Sequence, residues 1–266
     1  MGQVFVSELS YLYENCKIYD LQHGILYPQH ESLKSLIKFS NFNILFYGDF
    51  YVDNISSFTN YSAKKMVSIG HPFYTKTDLN LKHRSIILLT SSIANEDFYA
   101  KNNFDLNEII LLEDKLINTC LKFSKFDNYE FYFKPHPRLD KKILARFSNL
   151  KKSGVNIYYG NYNSIMKRIF INISIASTSI IDFSAFGIPS YVALKDCSVN
   201  KKYNEDIFFK FYKYPMDYNN ELEGLLNKYS NEENTYINDS NKVYEWYWKT
   251  HKEYDHTKFL DIIYKK

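Results

Sequence analysis

Glu130-Phe-Tyr-Phe-Lys-Pro-His-Pro-Arg138 is an apolar, β-rich run that stops abruptly in a cationic loop stiffened by two prolines. Phe131 to Phe133 read as a buried strand. Proline fixes its own φ and restricts the residue before it, so Lys134, His136 and Arg138 emerge at the strand's C-terminal edge with little freedom. In open α/β sheets that edge is where ligands bind. A cationic loop there suits an anion such as a nucleotide monophosphate or diphosphate. An ordinary strand-to-helix turn with solvated charges accounts for the same segment equally well.

The flanking sequence predicts what this strand belongs to. Ser85 to Ser91 is a short apolar run, and Leu106, Ile109, Ile110, Leu116, Ile117, Cys120 and Leu121 keep helical spacing. After the cationic loop come a charged helix over about Leu139 to Lys151 and a strand over Val155 to Tyr159. Ile169 to Ala176 reads as another strand and Ser179 to Phe186 as a helix, stopped by Gly187 and Pro189. Tyr191 to Leu194 is the last clear strand. Such alternation predicts an α/β fold with a parallel sheet covered by helices on both faces.

Residues 81–240 are therefore expected to form a Rossmann-like domain. Residues 1–80 carry three short strand-like runs, Cys16 to Leu21, Asn43 to Tyr47 and Met66 to Ile69, and read as a partial α/β domain. Residues 241–266 are expected to be helical and to pack back across the junction.

Bulk properties narrow the class. The chain is 45% hydrophobic and 24% charged, an ordinary globular balance, and its net charge of +3 gives no field that favours nucleic acid. Cys16, Cys120 and Cys197 form no CxxC pair, which suits a reducing compartment. No positively charged n-region with an apolar core opens the chain, so no signal peptide is expected, and the best candidate for a membrane span, Ile169 to Ile188, contains Asn172, Asp182 and several hydroxyls. A cytoplasmic location is expected.

Missing motifs exclude further classes. There is no G-x-G-x-x-G, no G-x-x-x-x-G-K-[ST] and no G-x-S-x-G. No histidine pair has metal-ligand spacing, so no metal and no cofactor are expected.

Two further loops carry chemistry. Ser177-Thr-Ser-Ile-Ile-Asp182 follows a strand and opens a helix, where hydroxyls and backbone N–H groups suit an anion. A capping box explains Ser179 and Asp182, but leaves Ser177 and Thr178 unaccounted for. Asp20-Leu-Gln-His-Gly24 places His23 after a strand, and an imidazole titrating near ~6.5 is able to accept a proton at neutral pH. Gly70-His-Pro72 reads as an inter-domain turn.

Taken together, Gln22-His-Gly24, the Ile69-Gly-His-Pro72 turn, the Lys134 to Arg138 loop and Ser177-Thr-Ser-Ile-Ile-Asp-Phe-Ser-Ala-Phe-Gly-Ile-Pro189 resemble bacterial GT-B glycosyltransferases of surface-polysaccharide synthesis. These include capsule and lipopolysaccharide transferases, CDP-glycerol glycerophosphotransferases and transferases with an HP motif. The resemblance implies a GT-B-like fold with the nucleotide donor, of CMP/CDP or UDP type, on the C-terminal domain. It implies donor contacts from Lys134, His136, Arg138, Ser177, Thr178 and Ser179, a ribose contact from Asp182, and His23 as base. Such enzymes transfer a sugar or polyol phosphate to a glycan or glycolipid acceptor, and peripheral contact with the inner membrane fits that role. Family members usually have a longer N-terminal domain and often Glu where this chain has Asp182. A non-catalytic nucleotide-binding remnant and a nucleotide-sugar epimerase are the alternatives.

Overall fold

The computed structural model describes residues 18–21, 42–55, 66–72, 84–91, 93, 105–126, 128–137, 144–174, 177, 179–192, 221–250 and 252–264. The chain divides into two compact units. The larger comprises residues 78–205 and 212–244, the smaller residues 1–77, 206–211 and 245–266.

The larger unit is built on a five-stranded, wholly parallel sheet. Its strands are β4 (Ile86–Thr90), β5 (Glu130–Lys134), β6 (Asn156–Ile157), β7 (Ile169–Ser174) and β8 (Ser190–Val192), in the order β6-β5-β4-β7-β8. Counted within the unit this is 3-2-1-4-5, the order of a Rossmann half-fold. β4 is the central strand and is buried along its whole length, which is why its sequence runs apolar without alternation. β5, one strand nearer the edge, alternates: Phe131 and Phe133 are buried, whereas Glu130, Tyr132 and Lys134 are half-buried.

Helices α2 (Leu106–Phe126), α3 (Leu144–Lys152) and α4 (Ser179–Ala185) follow β4, β5 and β7 in the chain. On one sheet face Phe133 meets Phe147 of α3, with ring centroids 5.5 Å apart. On the other, Ile86, Leu88 and Ile169 form a core with Ile165, Met166 and Phe183 of α4. Asp105 caps α2 by accepting from the Asn107 amide at 2.9 Å. Arg84 holds the end of α4, donating to the carbonyls of Phe186 and Gly187 at 3.0 Å each and to the Tyr236 hydroxyl at 3.2 Å. Tyr236 in turn donates to Phe170 O at 2.6 Å and stacks on its ring. These contacts tie α5 (Glu221–Asn231) and α6 (Glu233–Thr250) to the sheet through tyrosines of the last two helices.

The smaller unit has three parallel strands, β1 (Ile18–Leu21), β2 (Phe42–Phe46) and β3 (Met66–Ser68), with β2 in the centre and a short helix α1 (Asp49–Ile55). Residues 252–255 return to the ends of these strands. The Lys252 amide donates to Tyr47 O at 3.0 Å, the His71 amide to Lys252 O at 2.8 Å and the Asp255 amide to Ile69 O at 2.9 Å. Lys252 pairs with Asp49, and Tyr19 donates to Ile262 O of α7 (His256–Tyr264) at 2.7 Å. Gly70 explains its own place here: with φ +84 it permits a close approach in which an added Cβ would lie 2.0 Å from Glu253 O. The Gly70-His71-Pro72 turn, expected as an inter-domain turn, is a docking point for the C-terminal return within this unit.

Among the described residues, no helix is long and apolar enough to cross a membrane.

This docking point is testable. Gly70→Ala should destabilise the protein by about 2–4 kcal/mol, since left-handed strain adds to a backbone clash. Gly154→Ala, at φ +87 with nothing within 4 Å, should cost only about 1–2 kcal/mol. Urea denaturation of both variants measures the difference, and equal costs would remove the role given to the Gly70–Glu253 approach.

Candidate functional site

A parallel sheet delivers all its strand ends to one edge, and in the larger unit that edge collects polar side chains. Thr90 of β4 is in register with Lys134 of β5 on one side and Ser174 of β7 on the other. At the usual strand spacing this row is about 10 Å long. It straddles the switch point, where the chain leaves β4 toward β5 while β7 lies on the opposite side.

Hydroxyls dominate the β4–β7 side. Ser174 Oγ donates to Thr90 O at 2.9 Å and accepts from the Ser177 amide at 2.9 Å. Ser177 Oγ and Ser179 Oγ are 2.8 Å apart, and Ser179 Oγ donates to Thr90 Oγ1 at 3.3 Å. Thr90 Oγ1 also lies 3.3 Å from Asn172 Oδ1. Asn172 is fully buried, and among the described residues its Nδ2 has no hydrogen-bond partner. Of the residues predicted for this loop, Ser177 and Ser179 therefore meet in one network with β4; Thr178 lies outside the described residues. α4 spans only seven residues, so the hydroxyls rather than a helix dipole give this loop its polarity.

Asp182 sits in the first turn of α4. Surrounding protein desolvates its carboxyl and raises it to about 7. The side chain itself remains exposed, so hydration opposes that rise. Tyr162, in the short 3-10 turn Tyr162–Ser164, stands beside it. Desolvation first, and then the charge of Asp182, push the Tyr162 phenol up to about 12, and the neighbouring Ser179 hydroxyl partly offsets them. The Tyr162 ring packs edge-on against Phe183, 4.7 Å between centroids.

On the β5 side, Pro135 is buried, His136 half-buried and Pro137 exposed. The Lys134 ammonium does not extend freely from the strand end. It donates to Gly160 O at 2.7 Å and lies 4.6 Å from the Tyr162 ring centre and 5.4 Å from that of Tyr158. Desolvation lowers its pKa. Behind this loop, Arg146 of α3 donates to buried Glu113 of α2 at 2.6 Å and also pairs with Asp114. Burial raises the Glu113 carboxyl against the pull of Arg146 and Ser91. Among the described residues Glu113 Oε1 finds no hydrogen-bond partner.

His23 and Arg138 lie outside the described residues. Sequence reasoning passed over Thr90, Ser91, Asn172, Ser174, Tyr158 and Tyr162. A signal existed for some: Thr90-Ser91 ends an apolar strand, and Asn172 and Ser174 interrupt another. Nothing comparable marks Tyr162 in a chain with 25 tyrosines. Among the described residues, no group of three or more His, Cys, Asp or Glu side chains is placed to hold a metal ion.

Known structures share this architecture. The chain is similar to TarM, with a TM-score of 0.50 and 14% identity over 95% of this chain and 51% of TarM. It is also similar to the wall teichoic acid polymerase TagF, with a TM-score of 0.55 and 13% identity over 95% of this chain and 68% of TagF. The chain thus spans about half the length of TarM and about two thirds of TagF. No protein-family model matches it, and no curated protein matches it in sequence. At such identities the likeness speaks to the fold, which is α/β of the GT-B glycosyltransferase type, as the sequence resemblance implied.

The raised Asp182 carboxyl has a definite sign. A folded pKa above the unfolded ~3.9 means that Asp182 favours folding most at low pH. That contribution is lost as pH rises from about 4 through about 7. Asp182→Asn removes the dependence, so its melting temperature should gain on the wild type between pH 5 and pH 8. A constant difference across that range would show that the carboxyl is fully hydrated.

Proposed function

We propose that the protein is a metal-independent glycosyltransferase-like enzyme that moves a sugar or polyol phosphate from a nucleotide-activated donor to a surface-polysaccharide acceptor. The observation that carries this reading is the hydroxyl network Thr90–Ser174–Ser177–Ser179 at the switch point, with the unpartnered Asn172 amide beneath it. Switch-point crevices at strand C-termini are where open α/β sheets bind nucleotides. Side-chain donors grouped there suit phosphate oxygens, and His136 at the adjacent strand end adds a donor with a titratable charge.

The chemistry follows from that placement. As the donor's bond to phosphate breaks, negative charge grows on the departing group. Donors held by the sheet and by one another stabilise that charge without reorganising. Asp182, beside Tyr162, would accept from a ribose hydroxyl. His23 is assigned as the base that takes the proton of the acceptor hydroxyl. TagF is named as a wall teichoic acid polymerase, and crystals of one TagF variant have been soaked with CDPG; both favour a CMP/CDP-type donor, with UDP as the other pyrimidine option, and a polymer acceptor such as a glycan or glycolipid.

Calorimetric titration and thermal shift with CMP, CDP, UDP and GDP test the donor site. One pyrimidine nucleotide should raise the melting temperature, by about 2.7 kcal/mol of stabilisation at a hundredfold excess over its Kd. His136→Ala should weaken that nucleotide at least about tenfold, the scale of one charged hydrogen bond; wild-type affinity there would remove His136 from the site. His23→Ala should leave nucleotide affinity unchanged and abolish transfer. Nucleotide binding by the wild type with neither transfer nor donor hydrolysis would replace the enzyme with the binding-module alternative.

A further inference from the structure

The cationic loop and the hydroxyl network are joined by a connection that neither motif announces. Lys134 ends β5, yet its ammonium turns toward the β6 side, onto Gly160 O and the faces of Tyr158 and Tyr162. A cation over tyrosine faces is drawn by the ring quadrupole, and more strongly where water is partly excluded.

The segment it touches is closed on itself. Tyr158 Oη donates to Asn161 O at 2.6 Å, Ser164 Oγ donates to the same carbonyl at 2.8 Å, and the Ile165 amide donates to Tyr162 O at 3.0 Å. Tyr162 then faces outward from this turn to α4, with its ring on Phe183 and its hydroxyl beside Ser179 and Asp182. Ser179 leads on to Ser177 and Thr90. A continuous path runs from the Lys134 ammonium to the start of α4.

We propose that Lys134 is a positioning residue rather than a phosphate ligand: it pins the turn 158–164, and Tyr162 in that turn holds Ser179 and Asp182 in register for the nucleoside part of the donor. This deepens the nucleotide-donor reading and rests on it for the identity of the ligand, though not for the pin itself. One of the three N–H donors of Lys134 is spent on Gly160 O and the ammonium lies over both rings, so a phosphate would have to share a cation already held by the turn. The pinned arrangement needs no such sharing. Tyr162 becomes the specificity-determining member, because its phenol shares a neighbourhood with the carboxylate that a ribose hydroxyl would meet.

The two roles for Lys134 separate experimentally. Amide hydrogen exchange on the ligand-free protein reads the pin directly. Lys134→Met should speed exchange several-fold at residues 160–165 and 179–183 while leaving β4 and β7 protected, and Lys134→Arg should restore protection. Tyr162→Phe should loosen 179–183 alone. Unchanged exchange in Lys134→Met would overturn the proposal. Titration with cytidine, CMP and CDP, and with the uridine series, adds the ligand arm. A positioning role predicts that Lys134→Met weakens nucleoside, monophosphate and diphosphate by the same factor, with an unchanged salt dependence. A loss that grows with phosphate count and flattens the salt dependence would make Lys134 a phosphate ligand and overturn the proposal. If the wild type binds none of these compounds, the donor-site reading falls, and the exchange result still decides the pin.

Discussion

The burial of β4 between β5 and β7 is the constraint on which the rest of the larger unit depends. Ile86 to Leu89 are fully enclosed and carry the ladders to both neighbours. Replacing one of these side chains by alanine would cost about 2–5 kcal/mol. Because both ladders are parallel, the register that buries the four aliphatic residues also fixes where the next residue falls. Thr90 must stand between Lys134 and Ser174. A slip of one residue would turn every side chain of β4 to the opposite face. The apolar core and the polar row above it are therefore one decision of register.

That row carries a cost. Asn172 Nδ2 and Glu113 Oε1 are buried without full hydrogen bonds, and each such group costs about 1–3 kcal/mol. Both lie close to the strand ends, one under the hydroxyl network and the other behind the loop that carries His136. An apolar residue at position 172 would pack into the strand without this penalty.

The surrounding loops are held by contacts distant in sequence. Arg84 closes α4 from below by its two carbonyls and Tyr236, so the end of the helix opposite the hydroxyls is anchored to the sheet. Arg146 ties α3 to α2 through Glu113 and Asp114. Lys134 ties β5 to the turn after β6. In the smaller unit the same role falls to Gly70, whose missing Cβ lets residues 252–255 lie against the ends of β2 and β3.

Period and punctuation were sufficient to read the alternation of strands and helices, the parallel sheet and the loops at Lys134 and Ser177, because burial pattern and Pro or Gly stops are local properties of the chain. Strand boundaries came out shorter than expected: β6 is Asn156–Ile157 where the sequence extended it to Tyr159, since the edge strand has only β5 to pair with. The helix read from Ser179 does start there, although the side chain that accepts from its first amide is Ser177 Oγ, at 3.3 Å, where the capping box had assigned that role to Ser179. What remained invisible were the partners. That Thr90 joins Ser179, that Thr90 meets the buried Asn172, and that Lys134 turns to Tyr162 all depend on side chains brought together from segments 28 to 89 residues apart. Sequence determined that the loops at Lys134 and Ser177 follow strands of one parallel sheet, because periodicity and Pro or Gly stops are local; tertiary structure alone decided which residues share its C-terminal edge and which of them touch, because strand order and register are settled by packing across the whole sheet.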